Sequence, residues 1–181
     1  SGSTDGSVAA ARAAGAEIVP LDMSRPFTAA RARNAGFARL ETGEPPEIVQ
    51  FIDGDCALVP GWLEAGQAAL RADPDLGLVT GWRSEVHRDA SLYNALADVE
   101  WHRPAGPITV CGGDMMVRAA AFRQVGGFDA GLIAGEDEDF CLRLGAAGWK
   151  LLRLPRDMTR HDLAMTRFRE WWRRMVRAGH A

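Results

Sequence analysis

The sequence predicts an α/β domain, a mainly parallel sheet flanked by helices, and three observations carry that expectation. Strand-like runs rich in β-branched and aromatic residues alternate with longer helical patterns along the chain. One such run, Ile48-Val49-Gln50-Phe51-Ile52, stops abruptly at Asp53-Gly54-Asp55, which delivers two carboxylates to a sheet edge. The length of 181 residues suits one domain with a proper core. In open α/β sheets ligands sit beyond the carboxyl ends of the strands. Two acids around a glycine at such an end suit a hard divalent cation carrying a phosphorylated ligand. The plainer alternative is an Asp-Gly turn followed by a solvated Asp55.

Composition narrows the classes. A hydrophobic content of 47% with 25% charged residues is that of an ordinary soluble globular chain. No apolar run approaches the roughly 20 residues of a membrane span, and the opening residues do not read as a signal peptide. Cys56, Cys111 and Cys141 are odd in number and lack metal-site spacing, which favours free thiols in a reducing compartment, the cytoplasm. The net charge of −3 hides an asymmetry, because residues 159–181 hold six arginines against two acids, +4 locally, which leaves −7 for the rest. An acidic body with no basic, aromatic-laced stripe argues against a nucleic-acid partner.

The elements follow in order. Residues 1–7 form a loop with several N-caps, running into an alanine-rich helix from Val8 to Ala14. A strand is expected from Glu17 to Pro20, so the opening reads as a βα loop cut in half rather than a tail. After the turn at Ser24-Arg25-Pro26 comes a helix from Thr28 to Leu40 that carries Arg33 and Asn34, either on a solvated face or toward a ligand. Gly43 to Pro46 leads into the Ile48 strand. Pro60-Gly61 starts a helix, Trp62 to Ala72, that ends at Asp73-Pro74-Asp75. Leu76 to Trp82 reads as a strand and Ala90 to Trp101 as a helix broken by Pro104 to Pro107. Ile108 to Val117 is extended, with a bend and exposed backbone at Gly112-Gly113-Asp114. Arg118 to Gln124 is a short helix stopped by Gly126-Gly127.

The stretch from Gly135 to Leu144 is the second informative one. Its four acids, Glu136, Asp137, Glu138 and Asp139, complement the dipole at a helix start. Asp137 lies three, four and seven residues before Phe140, Cys141 and Leu144, the apolar stripe of the helix. It therefore points inward, as a tightly capped structural acid or a catalytic one. Gly148 ends this helix, Trp149 to Leu154 makes a further strand, and past Pro155 the chain reaches His161. Phe168, Trp171, Trp172, Met175 and Val176 then fall at helical spacing among Arg167, Arg169, Arg173, Arg174 and Arg177. This basic amphipathic helix packs on the domain or meets a membrane surface or partner. The domain is expected over residues 1–158, with the helix region at 159–181.

Six short patterns in order make the chain resemble a family 2 glycosyltransferase of GT-A (Rossmann-like) fold. They are the Gly-Ser-Thr-Asp-Gly-Ser loop containing Asp5, Ala32-Arg33-Asn34-Ala35-Gly36 and Asp53-Gly54-Asp55. Then come Gly112-Gly113-Asp114, Val125-Gly126-Gly127-Phe128-Asp129 and Gly135-Glu136-Asp137-Glu138-Asp139-Phe140. The resemblance implies an inverting transfer from a UDP-, GDP- or dTDP-sugar to a saccharide or lipid-linked acceptor. It implies a divalent cation, Mn2+ or Mg2+, with Asp53 nearer the ribose and Asp55 and His161 on the metal. It places Arg33 near the base, puts Asp5, Asn34 and Glu136 among the substrate-binding residues, lets Gly112, Gly113 and Asp114 flank donor sugar and acceptor, and makes Asp137 the general base. Family members carry a strand, helix and strand before the point where this chain starts, so an unfilled or borrowed sheet position is expected near Gly2 to Gly6. With the basic helix, the resemblance also suggests the inner face of a membrane as a location.

Elementary chemistry agrees. A diphosphate leaving group develops negative charge that a carboxylate-held metal stabilises, and an acceptor hydroxyl needs a carboxylate to take its proton. A nucleotidyltransferase is the competing enzyme reading, although no glycine-rich loop carries a basic residue placed for a triphosphate. A non-catalytic nucleotide-binding or scaffold domain is the third reading, disfavoured by the presence of both Asp55 and Asp137.

Overall fold

The computed structural model describes residues 3–179, in which a mixed sheet is flanked by helices. The elements are α1 (Ser7–Ala13), α2 (Ala29–Leu40), β1 (Ile48–Phe51), β2 (Cys56–Leu58), α3 (Trp62–Ala72), β3 (Leu76–Glu85) and α4 (Leu92–Trp101). They continue with β4 (Gly106–Pro107), β5 (Met115–Arg118), α5 (Ala119–Gln124), α6 (Glu136–Ala146), β6 (Lys150–His161) and α7 (Phe168–Ala178).

The strands are ordered β1-β5-β3-β6-β2, with β4 also on β6. Strand alternation splits the core into two layers. Leu78, Met115, Val117 and Leu151 face one layer, with Phe37, Phe51, Phe122, Phe128 and Phe140 from the β1 strand, the helices α2, α5 and α6 and the turn between the last two. Val79, Met116 and Leu152 face the other, against Trp62 and Leu70 of α3. The phenyl rings of Phe37 and Phe122 stack at 4.2 Å, and those of Phe128 and Phe140 lie 4.5 Å apart. Trp62 is wholly buried and its indole N–H donates to Gln50 Oε1 at 2.7 Å, so the ring seats α3 without an orphaned polar group.

Three expectations need correction. The sheet is mixed and not mainly parallel: β1, β3 and β6 point the same way, but β3–β6 is the one parallel pairing among the described residues, and the other four are antiparallel. The chain leaves β3 through α4 and returns in the opposite direction as β4 and β5, so no crossover is made there. Glu17–Pro20 forms no strand, because a strand exists only where a neighbour completes its ladder and none pairs with it among the described residues. Of Gly2 to Gly6, near which an unfilled or borrowed sheet position is expected, Gly2 lies outside the described residues and residues 3–6 are loop and bend. Finally, β6 does not stop at Leu154. The register jumps from Thr80↔Arg153 to Trp82↔Asp157, so Pro155 sits in a bulge where it removes no ladder bond, and the strand carries on to His161, across the expected boundary at 158/159.

The C-terminal helix divides its apolar residues. Trp171 stacks with Tyr93 of α4 at 6.2 Å and Arg174 pairs with Glu100 at 3.0 Å, so this side packs on the domain. Phe168, Trp172 and Val176, four residues apart in turn, are exposed at 59, 55 and 45%. No helix among the described residues is long and apolar enough to cross a membrane.

Candidate active site

Asp53 follows the end of β1, and its carboxylate is held from two sides. Arg33 of α2 donates to Oδ1 at 2.7 Å and Arg83 of β3 donates to Oδ2 at 3.0 Å. Arg33 also reaches Glu136, the first residue of α6, at 2.7 Å. Arg83 also pairs with the buried Asp114 at 2.7 Å. Asp114 accepts from the Asp53 backbone N–H at 2.8 Å and from Thr159 Oγ1 at 2.7 Å. The result is an alternating chain, Glu136–Arg33–Asp53–Arg83–Asp114, in which each buried charge has an opposite neighbour. Burial pushes the Asp53 carboxyl up, but the Arg83 and Arg33 charges outweigh it and hold it below the usual carboxylate range.

Local sequence explains how these groups meet. Gly113 lies against Arg33, and any β-carbon there would overlap the guanidinium, so only glycine permits this approach. Gly135 takes φ 78° as the N-cap of α6, which turns the chain so that four acids enter the first turn. Asn34 clamps the turn before α6: its amide donates to the Phe128 carbonyl at 2.7 Å and accepts from the Phe128 N–H at 3.0 Å.

Asp137 stands apart from the ion-pair chain. Phe140, Cys141 and Leu144 are wholly buried; of the four acids Glu136 is the most buried, and the half-buried Asp137, with Glu138 beside it, lines a cavity of about 660 Å³ with Gly112, Asp114, Trp101 and Arg153. Its Oδ1 accepts from the Glu138 N–H at 3.1 Å, and among the described residues no cation pairs with it. Burial, and then the Glu136 charge, push its carboxyl above the ordinary value.

Asp55 and His161 converge through strand register. β2 pairs with β6 so that Cys56 lies opposite His161, and this brings Asp55 Oδ2 to 3.1 Å from His161 Nε2. Cys56 Sγ lies within metal-ligand reach of both. Burial pushes the Cys56 thiol well up, which leaves the carboxylate and the imidazole as the ready ligands. Asp55 is exposed while His161 is buried against Trp101, 5.1 Å between ring centroids, so the pair has one open side. A carboxylate, an imidazole and free coordination positions fit a hard or borderline divalent cation such as Mn2+ or Mg2+.

Of the residues expected from sequence, the structure brings together Arg33, Asp53, Gly113, Asp114 and Glu136, with Gly112 and Asp137 on the cavity beside them. Asp55 and His161 form their own pair adjoining the network through Cys56, which is within reach of Asp53 and Asp114. Asp5 is not brought in: its carboxylate accepts from Ser7 N and Oγ at 3.1 and 2.6 Å, at the exposed start of α1. Both ends of the Asn34 amide bond the Phe128 backbone. Sequence reasoning missed Arg83, the centre of the network, and Arg153. The signal for Arg83 was a cation inside an apolar strand, hidden by ending that strand at Trp82.

Comparison with known proteins gives the family and the fold. Residues 48–178 match the family described as glycosyl transferase family group 2. The pre-mycofactocin glycosyltransferase of Mycobacterium tuberculosis is 34% identical over 153 residues, covering 78% of this chain and 31% of that protein. The chain thus spans about a third of the curated relatives it matches. Among solved structures, the mannosyltransferase PcManGT from Pyrobaculum calidifontis in complex with GDP-Man and Mn2+ superposes with TM-score 0.67. It is 20% identical and covers 98% of this chain and 50% of that one. GalNAc-T7 with UDP, GalNAc and Mn2+ gives TM-score 0.55 at 14% identity, over 82% of this chain and 34% of that one. These likenesses show a GT-A fold, and with the family match over most of its length they make this chain a member of glycosyl transferase family group 2.

Proposed function

We propose that this domain transfers a sugar from a nucleoside-diphosphate-sugar to an acceptor hydroxyl with inversion, in a metal-dependent manner. The observation that carries it is Asp137, an inward acid with no cationic partner among the described residues, on the wall of a cavity beside a D-x-D network. In this reading the acceptor hydroxyl approaches Asp137, directly or through one water, and its proton passes to that carboxylate as its oxygen bonds the anomeric carbon. The bond from that carbon to the diphosphate breaks on the opposite face, and the nucleoside diphosphate leaves. A divalent cation, Mn2+ or Mg2+, held by Asp55 and His161 would supply positive charge to the leaving diphosphate. Arg33 and Arg83 hold Asp53 in one orientation toward the donor, and Gly112 to Asp114 shape the wall between donor sugar and acceptor.

The test is a thermal-shift and transfer screen of UDP-, GDP- and dTDP-sugars on the complete protein with Mn2+, with Mg2+ and with chelator. One nucleotide class is expected to stabilise the protein only with metal. His161→Ala should reduce that metal-dependent shift by at least half while leaving the metal-free melting temperature within a few degrees. A donor screen with no stabilisation in any metal condition would remove the transferase reading.

The exposed stripe Phe168, Trp172 and Val176, flanked by Arg169 and Arg173, supports a peripheral contact with an anionic membrane. Trp172→Ser should lower recovery on phosphatidylglycerol-containing vesicles several-fold with little change in melting temperature. Trp171→Ser, which loses the Tyr93 stack, should instead lower stability by about 1–2 kcal/mol. Equal vesicle recovery for wild type and Trp172→Ser would leave the stripe without a membrane role.

A further inference from the structure

Arg153 is the fourth residue of β6 and lines the same cavity as Asp137. It is 8% exposed, and its buried Nε has no hydrogen-bond partner among the described residues. One donor of its guanidinium is used, Nη1 reaching the Pro104 carbonyl at 3.3 Å, and no carboxylate pairs with it there. Of the acids on the cavity wall, two are engaged by other arginines, and the other two, Asp137 and Glu138, form no ion pair with Arg153 among the described residues. Asp114 is held by Arg83 at 2.7 Å and Glu100 by Arg174 at 3.0 Å, while Asp137 and Glu138 belong to the first turn of α6. Two further cations line the cavity wall: Arg83, engaged by Asp53 and Asp114, and Arg103, which is exposed and likewise free of an ion pair among the described residues.

An arginine in this state is a costly thing for a fold to keep. A buried charge without a counter-ion is strongly disfavoured, and a guanidinium cannot relieve that by giving up its proton as a buried lysine can. Here burial pulls the Arg153 pKa down, the neighbouring Cys111 offsets part of this, and the like charge of Arg103 adds to the lowering. A structural role as a support for Pro104 would use one of five N–H donors and would not call for a charge. An incoming anion satisfies the remaining donors, and the planar fork selects carboxylate or phosphate over a sugar hydroxyl.

We propose that Arg153 and Arg103 form an anion subsite for the acceptor, so that the acceptor carries a carboxylate or phosphate near the hydroxyl that Asp137 deprotonates. This rests on the transferase reading above. The acceptor rather than the donor is assigned because Asp137 shares the cavity wall with both arginines, while Asp53, Asp55 and His161 do not line it. The anion offsets the buried charge, and its two-point contact fixes the orientation of the hydroxyl beside the base.

The test measures binding, so it needs no turnover. Titrations of the complete protein, followed by saturation-transfer NMR, would compare p-nitrophenyl β-D-glucuronide with the matching glucoside, and glucose 6-phosphate with glucose. A parallel arm compares UDP-glucuronate with UDP-glucose, to separate an acceptor anion from a donor one. At least one charged acceptor probe should bind about tenfold or more tightly than its neutral partner, as charge-assisted hydrogen bonds in a desolvated site do. Arg153→Met should erase that advantage, Arg103→Met should reduce it by a smaller factor, and Arg153→Lys should retain part of it. The subsite is overturned if wild type shows no preference in either acceptor pair, if the preference survives Arg153→Met, or if it is confined to the donor pair. Should Arg153→Met fail to fold, an acceptor preference unchanged in both Arg103→Met and Arg153→Lys overturns it equally. Failure of the nucleotide-sugar screen with the anion preference intact would strike the transferase reading and not the subsite.

Discussion

Asp137→Asn in the complete protein is expected to lower sugar transfer by about 100-fold or more while keeping fold and metal-dependent donor binding, as removal of a general base does. The side chain makes one hydrogen bond, to the Glu138 N–H, and no ion pair among the described residues, so an isosteric amide leaves little else to break. The pH profile carries a second readout. Burial and the Glu136 charge raise the Asp137 carboxyl above its ordinary value, and the working form is the ionised one. Rate should therefore fall as pH drops through this raised pKa, giving an acid limb in kcat/KM above the ordinary carboxylate value of about 4. That limb should vanish in Asp137→Asn. Asp139→Asn is the control: Asp139 pairs with Arg143 at 2.7 Å, so its loss should follow stability rather than chemistry. Near wild-type transfer by Asp137→Asn would make Asp137 a structural cap and turn the search for the base to Asp114.

Arg83→Met is expected to destabilise the domain by about 3–5 kcal/mol, the range for removing one partner of a buried ion pair. Arg83 serves two carboxylates. Asp53 would keep Arg33, but Asp114, with 2% of its side chain exposed, would keep only the Asp53 N–H and Thr159 hydroxyl. The uncompensated Asp114 charge is the larger part of the penalty. Adding Asp114→Asn to Arg83→Met should therefore recover a substantial fraction, because a neutral amide needs no counter-ion. Denaturant midpoints of the two variants decide it. A loss below about 1 kcal/mol for the single variant, or no recovery in the double, would mean that the alternating chain does not hold this part of the fold.

How far these features were legible in the sequence depended on whether a residue announces itself locally. The Ile48 strand, the Trp62 helix and the acid helix follow from periodicity and their caps; the spacing of Asp137 to Phe140, Cys141 and Leu144 did not show that Glu136 is the most buried of the four acids. Strand direction was not legible, since pairing sense depends on where the chain returns and local pattern is silent about that. Pro155 read as a stop because a proline normally ends a ladder, and only the β3–β6 register shows the bulge that absorbs it. Ile108 to Val117 read as extended with a bend at Gly112-Gly113-Asp114; Ile108 donates to the Leu151 carbonyl at 3.0 Å, and a regular ladder forms only at Met115–Arg118, past the bend. Arg83 and Arg153 each stand inside a strand run, where a lone cation looks like a solvated side chain until its neighbours are known.

The three-residue ladder between β2 and β6 has a consequence for how the site is assembled in time. Cys56↔His161, Ala57↔Arg160 and Leu58↔Thr159 are the pairings that carry Asp55 to His161, and β2 is the outermost strand with none of its residues fully buried. A strand that short at a sheet edge opens far more readily than the core strands do, without unfolding the domain. Whatever ligand requires Asp55 and His161 together then binds only the closed fraction, and its apparent affinity is scaled by that fraction. Amide hydrogen exchange at Ala57 and at Val59, which donates to the Met158 carbonyl at 2.9 Å, would be the local clock of that opening, slowing when the pair is bridged and staying fast when it is not.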